Sequence, residues 1–264
     1  MKKILGISSK AIFFLIVIIG VFCVFGCSSK RFETETTKSF LAGDTSQAVK
    51  NANEWIASDH DNPVPHAILN IIYTYSDKTD LLKKELKLAY DSKEDLQKII
   101  DWSSKLVKEN QNNPHAYLLK GVAFEIYGDN QTAVTSYLKA IEVDSNFKQG
   151  YQSLGNLYFF NDQLQKALIV YSFLIKKYPN SSSPYCSVGL IFLKNDETEK
   201  AITYFEKAVE LEPNDLVSLF NLANVYMDIN AKEKAIIVLK RIIKLDPNGE
   251  IGEESKINLF KLQN

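Results

Sequence analysis

The sequence predicts an all-α chain built as a stack of helical hairpins, and three observations carry that prediction. Apolar residues recur three and four apart along the chain, the spacing of one helix face, and no stretch alternates as a half-buried strand would. From Pro114 onward the sequence repeats every 34 residues without an insertion, a period at which one helix-turn-helix unit stacks on the next. Pro179, Pro213 and Pro247 fall at one and the same place in successive units, where proline can close one helix and start another. The composition, 45% apolar and 24% charged, suits a packed chain, and 31 basic against 32 acidic residues leaves no excess of charge to draw in nucleic acid.

At the N-terminus Lys2, Lys3 and Lys10 precede an uncharged run from Ala11 to Gly26, the layout of a secretory signal. A permanent membrane span needs about 20 apolar residues. The run is shorter, which favours removal of residues 1–26 over their retention as a signal anchor with Cys27 an ordinary thiol. Val24-Phe25-Gly26-Cys27 resembles the lipobox of bacterial lipoproteins, although Phe25 stands where a small residue is usual. The resemblance implies that Cys27 is acylated and holds the body in the cell envelope, outside the cytoplasm. Ser28 after Cys27, where aspartate is absent, resembles lipoproteins sent to the outer membrane in some two-membrane bacteria, which implies that location. Several acyl chains would anchor durably, since each buried methylene contributes about 0.8 kcal/mol. Residues 27–36 are then expected to be a lipidated tether. With Cys23 removed and Cys27 acylated, Cys186 has no partner for an internal disulfide.

Residues 37–113 carry a divergent version of the pattern. Leu41-Ala42-Gly43-Asp44 followed by Ala48, Ala52 and Trp55 predicts a turn and a second helix; Pro63 to Tyr75 predicts a first helix and Asp80 to Tyr90 its partner. Extending this frame misses Pro114 by 17 residues, half a period, so one helix is extra. Leu96 to Asn110, with Ile99, Ile100, Trp102, Leu106 and Val107, is the expected joint.

Four regular units follow, 114–147, 148–181, 182–215 and 216–249. Place 4 holds Tyr117, Tyr151, Tyr185 and Leu219; place 8 holds Gly121, Gly155, Gly189 and Ala223; place 11 holds Phe124, Tyr158, Phe192 and Tyr226. These share one stripe of a first helix. Ala133, Ala167, Ala201 and Ala235 at place 20, with Tyr137, Tyr171, Phe205 and Leu239 at place 24, share a stripe of the second. Small residues at 8 and 20 let the helices approach while rings fill the flanking space. Gly128, Asp162, Asp196 and Asn230 at place 15 suit a left-handed turn. The columns closely resemble the tetratricopeptide repeat, which implies a right-handed superhelix. Residues 250–264 are expected to form a capping helix, with Ile257 and Phe260, and Leu259 and Leu262, as its apolar face.

Chemistry-bearing clusters are sparse. His60, His66 and His115 are placed in or beside inter-helix loops, and Asp59-His60-Asp61 alone sets a histidine beside carboxylates, as a solvated turn. Cys186 is expected to be a half-buried, inert thiol. No catalytic, cofactor or metal motif stands out, so no enzyme, cofactor or metal is expected. The resemblance implies instead a membrane-anchored scaffold or adaptor that binds a protein or peptide in the envelope, or alternatively a structural subunit of an outer-membrane protein insertion or pilus assembly complex. Places 2, 5, 9 and 12 line the superhelix interior in that family. They hold His115, Leu118, Val122 and Glu125 in the first unit. The candidate groove residues are Gln149, Gln152, Asn156, Phe159, Leu190, Phe220 and Asn224, with Asn221 at place 6. No lysine or arginine occupies these places, so a neutral, partly apolar partner is expected.

Overall fold

The structure, a computed structural model, describes residues 29–74, 85, 88 and 92–263. The apolar run, Cys27 and most of the helix expected at Asp80 to Tyr90 lie outside the described residues, although Glu85 and Leu88 are helical. Every described element is an α-helix, with no strand among the described residues. The helices are α1 (29–41), α2 (Thr45–Ser58), α3 (Pro63–Thr74), α4 (Lys93–Glu109), α5 (Pro114–Tyr127), α6 (Asn130–Val143), α7 (Lys148–Phe160), α8 (Leu164–Lys177), α9 (Ser182–Lys194), α10 (Thr198–Leu211), α11 (Leu216–Asp228), α12 (Lys232–Leu245) and α13 (Glu250–Gln263). None of them is long and apolar enough to cross a membrane. The chain divides into two compact units between Gln149 and Gly150.

Local signals explain where helices start and stop. Asp44, Ser92, Asp129 and Asp215 cap α2, α4, α6 and α11 by accepting backbone N–H bonds from the first turn. Asn113 does the same for α5, with Pro114 at the first position, where its missing N–H costs nothing. The reversal within each hairpin is left-handed: φ is +92° at Gly128, +59° at Asp162 and Asp196, and +57° at Asn230. These are the place-15 residues, and Gly43, at +73°, is their counterpart in the first hairpin.

In the second unit α9–α10 and α11–α12 are successive hairpins, α13 packs on α12, and Tyr171 of α8 lies against Gly155 of α7. Ala167, Ala201 and Ala235 are fully buried, as are Phe205 and Leu239. The close approach differs in detail from the expected one, because the ring at place 24 lies directly on the place-8 glycine. A Cβ at Gly155 or Gly189 would stand 2.7 Å from the ring of Tyr171 or Phe205. The glycine is the seat of the ring, so a flat aromatic face replaces a side chain's volume. On α13, Gly252, Ser255 and Asn258 face inward and Leu259 and Leu262 pack against Leu219, Leu239 and Ile242, whereas Ile257 and Phe260 are 55% and 67% exposed. The helix turns its small stripe to the core, which corrects half of the expected apolar face.

The first unit contains the regular hairpin α5–α6, in which Gly121 seats the Tyr137 ring. It also contains the offset region. Residues 29–36, expected to be part of a tether, form the first turns of α1. Phe32, Thr36 and Phe40 share one face, Thr36 and Phe40 are buried, and Trp102 of α4 donates from Nε1 to Glu33 at 3.1 Å. The extra helix α4 buries Ile99, Ile100 and Leu106. Asn113, after α4, donates to the carbonyl of Leu41 at 2.8 Å, so the joint is held to the end of α1.

Candidate peptide-binding groove

One of the three histidines departs from its expected setting in or beside a loop. His66 lies within α3, is buried, and its Nδ1 is 2.5 Å from Oε2 of Glu85, which is buried too. A histidine thus meets a carboxylate far from Asp59-His60-Asp61. His60 is exposed, with Nδ1 2.9 Å from the carbonyl of Ile56. Among the described residues no three His, Cys, Asp and Glu side chains converge to hold a metal.

His115 is enclosed at the start of α5. Its ring lies edge-on to Phe40 and Phe147, with centroids 5.6 and 4.8 Å away. Burial lowers its pKa, an effect that Asp144 partly opposes. Leu118 is buried as well. Farther along the same face the Glu125 carboxyl is raised by burial, although the hydroxyl of Tyr137 donates to it at 2.5 Å. The first-unit residues at places 2 and 5 are therefore walls rather than an open lining. Gln149, at the start of α7 and the last residue of the first compact unit, is half-buried.

In the second unit the first helices α7, α9 and α11 are joined side by side by polar contacts. Gln152 Nε2 donates to Ser183 Oγ at 3.2 Å, and Asn221 Nδ2 donates to Cys186 Sγ at 3.5 Å. Lys194 Nζ pairs with Asp162 at 2.8 Å and stands 5.2 Å from the centre of the Phe159 ring. This lysine stands at place 13, outside the groove places that the register marks, so the sequence alone does not single it out. Asn156 accepts the hydroxyl of Tyr171 at 2.5 Å. This bond orients its amide through Oδ1, and Nδ2 is the donor end. Phe159, Leu190 and Phe220 are half-buried, each leaning on a core cluster, and Asn224 is half-buried beside them on α11. Cys186 is buried rather than half-buried, and burial pushes its thiol pKa up, against hydrogen bonds from Ser218 and Asn221. It belongs to the floor.

The elements and their spacing match a known repeat. Residues 114–147 and 192–252 each match a family model of the tetratricopeptide repeat. Over those residues the chain carries tetratricopeptide repeats. Similar solved structures include a crystal structure of MamA, 23% identical, covering 63% of this chain and 93% of that one with a TM-score of 0.50. The MamA RS-1 ArsTM double mutant is 21% identical and covers 59% and 87%, also at 0.50. At these identities the likeness shows the fold alone. No curated protein matches the sequence.

Proposed function

We propose that this tetratricopeptide chain is a scaffold that binds a protein partner along the first helices of its repeats and is held in the cell envelope by acylation of Cys27. The observation that carries the binding reading is the cross-bonded row on α7, α9 and α11. Gln152 to Ser183 and Asn221 to Cys186 lock neighbouring helices together and leave half-buried rings and amides between them. A surface organised before binding loses less side-chain entropy when a partner settles on it. Phe159, Leu190 and Phe220 supply apolar contact, and Asn156 and Asn224 supply amides suited to the backbone of an extended or helical segment. Lys194, which reaches the Phe159 ring, already has Asp162 as its counter-charge, so binding should depend weakly on salt.

The envelope placement rests on the lysine-led apolar run and on Val24-Phe25-Gly26-Cys27. Mass spectrometry of the mature N-terminus tests it: an acylated residue 27 is expected, and an unmodified residue 27 or a start elsewhere sinks the anchor. Affinity capture with the full chain from solubilised envelopes tests the scaffold. A captured partner should lose roughly tenfold or more in affinity, about 1.4 kcal/mol or more, with Phe220→Ala and again with Asn224→Ala. Affinity that collapses at high salt and ignores both substitutions would move the binding surface elsewhere.

A further inference from the structure

Within the first unit a hollow of about 140 Å³ opens beside His115. Its floor is apolar and buried, made by Phe40, Ile71, Ile72 and Leu118. Its more accessible wall is Gly43, Thr45, His115 and Gln149, so no formally charged side chain lines it at neutral pH. The size is informative, because an apolar cavity of about 150 Å³ takes up a single benzene ring. Two features define its wall. His115 is clamped between the Phe40 and Phe147 rings, and Gly43 holds a left-handed φ of +73° that disfavours any larger residue able to fill the mouth. Nδ1 of His115 is buried without a hydrogen-bond partner, which leaves the imidazole with bonding capacity that the fold does not use.

We propose that this hollow is an anchor site for one neutral apolar side chain, phenylalanine, leucine or isoleucine, of the protein partner. The inference rests on the scaffold reading and adds to it the chemistry of one partner residue. Charged side chains are disfavoured, since neither the floor nor the wall offers a counter-charge to replace lost water. An alanine would leave most of the volume empty. Burial, which holds His115 neutral near pH 7, removes the one group that could have selected an acidic residue.

The test uses the full chain in lipid nanodiscs with ¹³C-methyl labels on isoleucine and leucine. N-acetyl-phenylalaninamide, N-acetyl-leucinamide, N-acetyl-alaninamide and n-hexanol are titrated separately. Saturable shifts are expected at the methyls of Ile71, Ile72 and Leu118 with the first two probes, and roughly tenfold or more weaker with the alanine amide. Thr45→Trp, at an exposed position that tolerates change, should fill the mouth and abolish them. No saturable shift at these methyls overturns the proposal, and so does a response to hexanol equal to that of the amides, which would mark a plain alkyl site. With a captured partner, Thr45→Trp should weaken binding, and unchanged affinity overturns the assignment to that partner. The titration needs no partner, so its failure leaves the row on α7, α9 and α11 standing. Loss of that row's own test, with the methyl shifts intact, removes only the groove.

Discussion

The regular second unit and the offset part of the first unit solve the same packing problem in different ways. In the second unit the solution is steric and repeated: a ring sits on a glycine at Gly155 and Tyr171, and again at Gly189 and Phe205, with an alanine buried on the same helix as each ring. In the offset part, where half a period is inserted, no such column is available. Unique polar contacts hold it instead: His66 with Glu85, Trp102 with Glu33, Asn113 with the Leu41 carbonyl. The difference teaches that repetition spreads stability over equivalent contacts, each found by its neighbour in sequence, while an irregular joint depends on a few contacts that cannot be exchanged. A buried polar pair is poorly replaced by other pairings, which is one way a joint can specify a single arrangement.

The comparison breaks most visibly at His66. His66→Leu leaves Glu85 buried without its partner and should cost about 3–5 kcal/mol, whereas the double change His66→Leu with Glu85→Met should restore much of the loss. Denaturant unfolding of the two variants decides this. A single variant close to the native midpoint would mean that the offset region is held by its apolar contacts alone.

A smaller effect is expected in the repeated part. Gly155→Leu drives a side chain into the Tyr171 ring and should destabilise by about 1–3 kcal/mol. Adding Tyr171→Ala should recover part of that loss, because the two residues compete for one space and their effects cannot add. Strictly additive losses in thermal unfolding would refute the seat assigned to the ring.

The smallest effect concerns His115 and sharpens the contrast through pH. Its folded pKa lies below the ordinary 6.5 because burial disfavours the cation more than Asp144 favours it. As pH falls, the unfolded chain takes up this proton before the folded chain does. The stability linked to this ring is therefore complete above 6.5 and is lost as pH falls through the lower folded value. His115→Phe should flatten that part of the acid limb. Unfolding midpoints measured between pH 7.5 and 5 check it, and parallel curves for the native chain and the variant would show that the ring does not titrate in a buried setting.

Much of the regular array is legible without a structure. Apolar spacing marks the helices, and Gly128, Asp162, Asp196 and Asn230 mark the turns because few other residues adopt a positive φ cheaply. The extra helix is legible as well, from a half-period mismatch. The candidate site is legible only as a set of places. Asn156 and Asn221 stand at such places, but their bonds to Tyr171 and Cys186 depend on how two helices lie against each other. Lys194 enters the site through the reach of its side chain, which a register of backbone positions does not record.

What the sequence by itself determined is the part of the molecule governed by local and periodic rules: helix faces, turn residues and a hairpin repeated at 34 residues. Tertiary structure alone decided that His66 meets Glu85 and that His115 is clamped by Phe40 and Phe147. It also decided that α13 turns Ser255 and Asn258 inward while Ile257 and Phe260 stay exposed. The physical reason is range. Helix periodicity and turn conformation are set by neighbours within a few residues, whereas these contacts join side chains on separate elements with no repeated pattern to announce them, and they form only where packed backbones bring those side chains together.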